Sequence, residues 1–181
     1  MQTFSDDLDV QIAALPARMS HVIRPWVQRS PGAIAVSDGA CALTYDELAQ
    51  AIHAAGQWLL SCDVRPGDRV MLLGENSIAL AALVLAIGDI DAWPLVVNAR
   101  ISEREVSAIR THGGARLVIA TSSDSSDAAL HGRRIGATVH EVPGIGEVAA
   151  TEADPSVAAE PVRADGAAQV GALIYTSGTT G

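Results

Sequence analysis

Aromatic side chains are scarce: one phenylalanine, two tyrosines and three tryptophans make up 3% of 181 residues. A β-sandwich core built on large rings is disfavoured, and a 49% apolar content rich in alanine suits helices packed on sheets. Basic residues are few as well. Twelve Lys and Arg against 21 Asp and Glu leave a formal charge of −9, the wrong sign for a stripe that neutralises a nucleic-acid backbone. A nucleotide is not excluded, because backbone N–H groups can hold phosphate against an unfavourable net charge. The two cysteines, Cys41 and Cys62, form no CxxC and no ligand cluster with the five histidines. They read as free thiols of a reducing compartment, although a fold that brought them together could pair them. Long apolar runs are missing too. The longest, Ile78 to Gly88, is closed by Asp89, Asp91 and Pro94 and falls short of the ~20 residues that span a bilayer. Met1 to Val10 is acidic and lacks the basic-then-apolar order of a secretory signal. Together these absences point to a cytoplasmic protein with one sizeable core.

What is present is an alternation of helix and strand signals. Residues 1–20 have weak periodicity and read as a lead-in. His21 to Arg29 predicts a short helix ended by Pro31-Gly32, and the runs around Ser37-Asp38-Gly39 predict a small hairpin. Thr44-Tyr45-Asp46-Glu47 is a capping box, followed by Leu48, Ala51, Ile52, Ala55, Trp58 and Leu59 on one helical face. Val64 to Asp68 turns the chain into an apolar strand, Arg69 to Leu73. A helix capped by Asn76 or Ser77 and a second strand, Trp93 to Val97, come next. Ser102-Glu103-Arg104-Glu105 is a second capping box, and Gly113-Gly114 suits a left-handed helix stop. Further strands are expected at Arg116 to Ala120, Ala137 to Val142 and Val170 to Tyr175. Pro143 to Ala168 has no periodicity and reads as a connecting segment. The expected layout is thus residues 1–20 lead-in, 21–142 α/β unit, 143–168 connection and 169–181 strand and loop. Strand–helix alternation with short connections predicts an α/β fold, a mainly parallel sheet with helices on both faces.

The chemistry is concentrated in the last segment. Ala172 to Tyr175 is an apolar strand, and it runs into Thr176-Ser177-Gly178-Thr179-Thr180-Gly181, two glycines among four hydroxyl residues. Glycines let backbone come close to a bound anion, successive N–H groups form a concave nest, and hydroxyls add rotatable donors. Polyphosphate is the natural guest. Neither GxxxxGK[ST] nor GxGxxG is present, and such a composition alone also fits a loop without function.

The string Tyr175 to Gly181 resembles the signature loop of the adenylate-forming superfamily, which includes acyl-CoA synthetases, peptide-synthetase adenylation domains and luciferases. The family loop continues with a variable residue and Pro-Lys-Gly. A second, independent likeness lies in Leu43 to Leu48, Val64 to Val70 and Gly74 to Ser77, and a third in Pro94 to Arg100 followed by Ile101 to Glu105. The likeness runs in order over residues 21–181, with Thr121 to Ala168 contributing little. An acyl-CoA synthetase-like fold is implied, here as the N-terminal part of a domain.

The resemblance implies that a carboxylic acid and ATP give an acyl-adenylate and pyrophosphate, and that the acyl group then passes to the thiol of CoA. ATP, Mg²⁺ and CoA are the implied cofactors, and the acid and CoA the implied partners. By the same resemblance Thr176, Ser177, Gly178, Thr179, Thr180 and Gly181 hold the β- and γ-phosphates, with Ser177, Thr179 and Thr180 as hydroxyl donors. No catalytic residue and no metal ligand is assigned, since the family's catalytic lysines, adenine pocket and acid pocket map beyond Gly181. The chain alone is therefore expected to be inactive. A peptide-synthetase adenylation domain is the nearest alternative, but those carry Asp-Pro and Tyr-Pro where this chain has Asn98-Ala99-Arg100-Ile101-Ser102. A non-enzymatic module that associates through exposed apolar surface is the other. Arg100 sits where some CoA ligases place a basic residue near CoA phosphates, although a solvated surface arginine is the simpler reading. The five histidines, at 21, 53, 112, 131 and 140, have no metal-ligand spacing.

Overall fold

The computed structural model describes residues 8, 10–12, 14–39 and 41–175. Met19–Ile23 forms a 3-10 turn that leads into α1, Arg24–Arg29, where the sequence predicts one continuous helix. Pro25 explains the division. It sits in the first turn of α1, where the missing N–H costs nothing, and cannot donate back across the joint. β1 (Ile34–Ser37) and β2 (Ala42–Thr44) make the expected antiparallel hairpin. Cys41 and Cys62 are both free thiols.

Both capping boxes form as read. Thr44 starts α2, Tyr45–Ser61, with Thr44 Oγ1 accepting from Glu47 N at 3.2 Å and Glu47 Oε2 accepting from Thr44 N at 2.8 Å. Ser102 starts α4, Glu103–Gly113, in the same way, and Gly114 closes it in the left-handed conformation at φ 58°. Between them lie β3 (Arg69–Gly74), α3 (Ile78–Asp89, capped by Ser77) and β4 (Trp93–Asn98). β5 (Leu117–Ala120), α5 (Ser126–Arg134), β6 (Thr138–Val142), β7 (Gly146–Ala150) and β8 (Leu173–Ile174) complete the order.

Six strands form one sheet in the order β6-β7-β5-β3-β4-β8. β3, β4, β5 and β8 run parallel, and β7 and β6 add an antiparallel edge. Strand β7 is the departure from the expected layout, because Pro143 to Ala168 reads as irregular. Gly-Glu-Val-Ala-Ala has little intrinsic strand preference, so pairing with β5 and β6 and cover from both faces make it a strand. The turn before it needs glycine. Gly144 has φ 75°, and a Cβ there would lie 2.7 Å from Ala51 Cβ on α2.

Successive strand residues divide the core. Val70, Leu72, Leu117 and Ile119 pack with Leu48, Ile52 and Leu59 of α2 and Leu83 and Ile87 of α3. Met71, Leu73, Leu95 and Val118 face the other way, toward Val106 of α4 and Ala128 of α5. α3 and α4 therefore lie on opposite faces, as right-handed crossovers in opposite directions require.

From β7, next to one edge, the chain crosses beneath the N-terminal ends of the parallel strands to reach β8 at the other. The turn at Pro66-Gly67-Asp68-Arg69 is the socket for this strap. Gly67 O accepts from Glu160 N at 2.8 Å, and a Cβ on Gly67 would stand 1.9 Å from Glu160 O. Arg69 reaches the Glu160 carboxylate, Gly114 O at 3.0 Å and Ala158 O at 3.2 Å. Arg116 O accepts from Asp154 N at 2.7 Å. The Arg116 side chain, 3% exposed, pairs with Asp68, 2% exposed, at 2.8 Å and also bonds Asp63. Burial alone would lower the Arg116 pKa, but the hydrogen bonds it donates to Asp63 and Asp68 outweigh it and move the value up. The lead-in is also tied down, through Arg18 to Asp91 at 2.5 Å and to Arg163 O at 3.0 Å.

Two outcomes follow from this packing. Asp68→Ala leaves a buried guanidinium short of its partner and should lower unfolding free energy by about 3–5 kcal/mol in urea titration. The second concerns acid. Glu47 is held below the ordinary glutamate value of 4.5 by the Thr44 backbone N–H and then its hydroxyl, and Glu105 by the Ser102 hydroxyl and then its backbone N–H. Because both folded values are depressed, the cap contribution is complete above pH 4.5 and lost as pH falls through those lower values. Melting temperature should drop over that acid range, less steeply in Glu47→Gln and Glu105→Gln.

Candidate functional site at the C-terminal rim of the sheet

In open α/β sheets ligands gather beyond the carboxyl ends of the parallel strands, near the point where strand order reverses. Here the reversal lies between β3 and β5, and the crevice there is closed. Gly74, the last residue of β3, has no side chain, and a Cβ would meet Thr121 Oγ1 at 2.6 Å. Thr121 is fully buried, its N–H donates to Leu73 O at 3.0 Å, and its hydroxyl has no partner.

The open space lies one strand over. A cleft of about 350 Å³ is lined by Gly74, Glu75, Asn76, Leu80, Val96, Asn98 and Arg100, at the ends of β3 and β4. Asn98 Oδ1 accepts from Arg100 N at 2.8 Å and holds the turn after β4. Behind that turn His131, 5% exposed on α5, sits 3.1 Å from the carbonyl oxygens of both Ala99 and Ile101. His131, which shares no metal-ligand spacing with the other histidines, is thus a clamp on the Arg100 loop.

Arg100 itself is 72% exposed and forms a 2.5 Å pair with Glu75 across the mouth of the cleft. The hydrogen bond from Arg100 holds the Glu75 carboxyl below its ordinary value, and the same bond raises Arg100. An anion approaching Arg100 must therefore displace a carboxylate already in place. Asp127 adds a further negative charge nearby. The spacing of Glu75 and Arg100 in the sequence carries no sign of this pair.

β8 brings the last segment to the same rim. Leu173 pairs with Leu95 and Ile174 with Val96, so the chain leaves the sheet beside the residue that floors the cleft. Tyr175 packs on the α4 face, with its hydroxyl 2.5 Å from His112 Nδ1 and the two rings edge-to-face at 5.7 Å. Thr176, Ser177, Gly178, Thr179, Thr180 and Gly181 lie outside the described residues. Among the described residues no group of His, Cys, Asp and Glu could hold a metal ion, and no helix is long and apolar enough to cross a membrane.

Residues 23–181 match the AMP-binding enzyme family. The chain belongs to that family. A feruloyl-CoA synthase of Amycolatopsis is 35% identical over 153 residues, which is 84% of this chain and 29% of that protein. A probable non-canonical nonribosomal peptide synthetase of Salinispora arenicola is 28% identical over 97% of this chain and 2% of its own length. The solved Mycobacterium tuberculosis fatty acyl CoA synthetase superposes with a TM-score of 0.59 at 23% identity, over 72% of this chain and 25% of that one, and supports the fold. The AMP-binding chain thus spans less than a third of the feruloyl-CoA synthase it matches.

The floor of the site is open to a direct test. Gly74→Ala should cost about 1–3 kcal/mol by crowding Thr121, and adding Thr121→Ala should recover most of it in a denaturation double-mutant cycle.

Proposed function

We propose that this chain is the N-terminal portion of an ATP-dependent acid–thiol ligase. The reaction joins a carboxylate to AMP with release of pyrophosphate and then moves the acyl group to CoA. The observation that carries the reading is the Thr176-Ser177-Gly178-Thr179-Thr180-Gly181 string directly after a strand parallel to β4. A carboxylate is a poor acyl donor because oxide would have to leave, whereas AMP is a competent leaving group. The protein's share of the work is to hold two anions together and to stabilise charge on the departing pyrophosphate. In this reading Thr176 to Gly181 cradle the β- and γ-phosphates, and Ser177, Thr179 and Thr180 donate through their hydroxyls. Mg²⁺ would offset phosphate charge there. CoA is favoured as acceptor by the likeness to feruloyl-CoA synthase and by Asn98-Ala99-Arg100 in place of the peptide-synthetase residues. The cytoplasm, with Cys41 and Cys62 reduced, is the fitting compartment.

A peptide-synthetase adenylation domain is the second reading, favoured by the 28% identity to the Salinispora protein over nearly the whole chain.

Pyrophosphate release from Mg-ATP with a panel of aromatic and fatty acids tests the proposal. The 181-residue chain alone should stay at background, and a chain extended from it through the rest of an AMP-binding domain should turn over and consume free CoA thiol. In that longer protein Ser177→Ala and Thr180→Ala should each lower kcat about 10- to 100-fold. Acid-dependent turnover that never consumes CoA would favour the peptide-synthetase reading. Turnover by the 181-residue chain itself would overturn its reading as an N-terminal portion that needs the rest of the domain.

A further inference from the structure

We propose that His112 is a positioning residue that sets how the phosphate loop leaves the sheet, acting through Tyr175; the inference rests on reading Thr176 to Gly181 as that loop. β8 has two paired residues and lies at the sheet edge, so its ladder anchors the chain at one place. A ladder that short holds the chain through two residues and does not itself hold Tyr175. Tyr175 supplies a second anchor. Its hydroxyl lies 2.5 Å from His112 Nδ1 at the end of α4, and the rings meet at 88°.

The contact is built rather than incidental. A Cβ on Gly113 would stand 2.3 Å from Leu95 Cδ1 and 3.4 Å from the Tyr175 hydroxyl, so the bare backbone there leaves room for both side chains. Packing alone would be met by phenylalanine at 175, since Leu173 and Tyr175 share the same apolar cluster. The hydroxyl has His112 as its partner. A phenol is a stronger acid than a neutral imidazole N–H, so Tyr175 donates and Nδ1 accepts, which leaves the proton on Nε2.

Tyr175 is bonded directly to Thr176. Fixing its ring at one end to α4 fixes where the first residue of the loop starts. Donors aimed at phosphate lose much of their effect when displaced by about 1 Å, and a free swing at Tyr175 permits that displacement.

Three measurements test this. In the 181-residue chain, nitrogen NMR of labelled histidine should show His112 as a single Nε2–H tautomer with a hydrogen-bonded Nδ1. Tyr175→Phe should return it to the averaged pattern of free imidazole. Identical His112 signals in the two proteins would overturn the proposal. Chymotrypsin should cleave after Tyr175 about tenfold faster in His112→Ala, whose open form is no longer held back. His112→Asn, with Oδ1 near the former Nδ1 position, should restore resistance, and His112→Gln should not. Equal rates for the Ala and Asn variants would count against the tether.

In the longer protein, His112→Ala should lower kcat/KM for Mg-ATP about tenfold, and His112→Asn should reverse it. An unchanged kcat/KM for Mg-ATP alongside an altered KM for the acid would overturn the assignment. The two readings fail differently. A tether that passes NMR and proteolysis while Ser177→Ala leaves ATP use intact overturns the phosphate-loop reading and with it the role of His112. A failed NMR test with Ser177→Ala still damaging overturns the His112 proposal alone.

Discussion

A buried ion pair underlies the layout of this domain: Arg116 at the foot of β5 against Asp68 at the foot of β3, both almost fully enclosed. An arginine removed from water is tolerable only when its donors are met, and here Asp68, the Asp63 carboxylate and the Asp63 carbonyl meet them. The same short stretch presents Gly67 and Arg69 to the strap that returns from β7. Without a residue lacking Cβ at 67, Glu160 could not approach, and without Arg69 its carboxylate would have no partner. The strap in turn decides where β8 lies. It carries the chain past β5, β3 and β4 and delivers it to the far edge, parallel to β4.

That delivery sets the electrostatic character of the rim. The exit of β8, the end of β4 and the turn after β3 come within one neighbourhood, where Arg100 is already paired with Glu75. The rim is thus nearly neutral at Arg100, and the chain as a whole carries −9. A polyphosphate guest would depend on oriented backbone N–H groups and hydroxyls more than on net positive charge.

Local chemistry was readable in advance wherever it depends on neighbours in sequence. Both capping boxes need only residues three apart, and Thr44 with Glu47 and Ser102 with Glu105 close as their spacing demands. The strands β3, β4 and β5 are continuous apolar runs because both faces are covered, and such runs stand out among polar turns. Strand β7 was not readable, since alanine and glycine carry no strand signal and its pairing partners lie elsewhere. Nor were the contacts of the site. Glu75 with Arg100 and His112 with Tyr175 are 25 and 63 residues apart, and no periodicity links them.

By itself the sequence determined the family, the two capping-box helix starts, the parallel core strands and the glycine-and-hydroxyl motif, because each is written in contiguous residues. Tertiary structure alone decided that the sheet takes an antiparallel edge, that a strap carries β8 to the opposite side, and that the charge of Arg100 is spent on Glu75. The physical reason is distance along the chain: these outcomes depend on Cβ-scale clearances and charge pairs between residues that meet only once the sheet has closed its order.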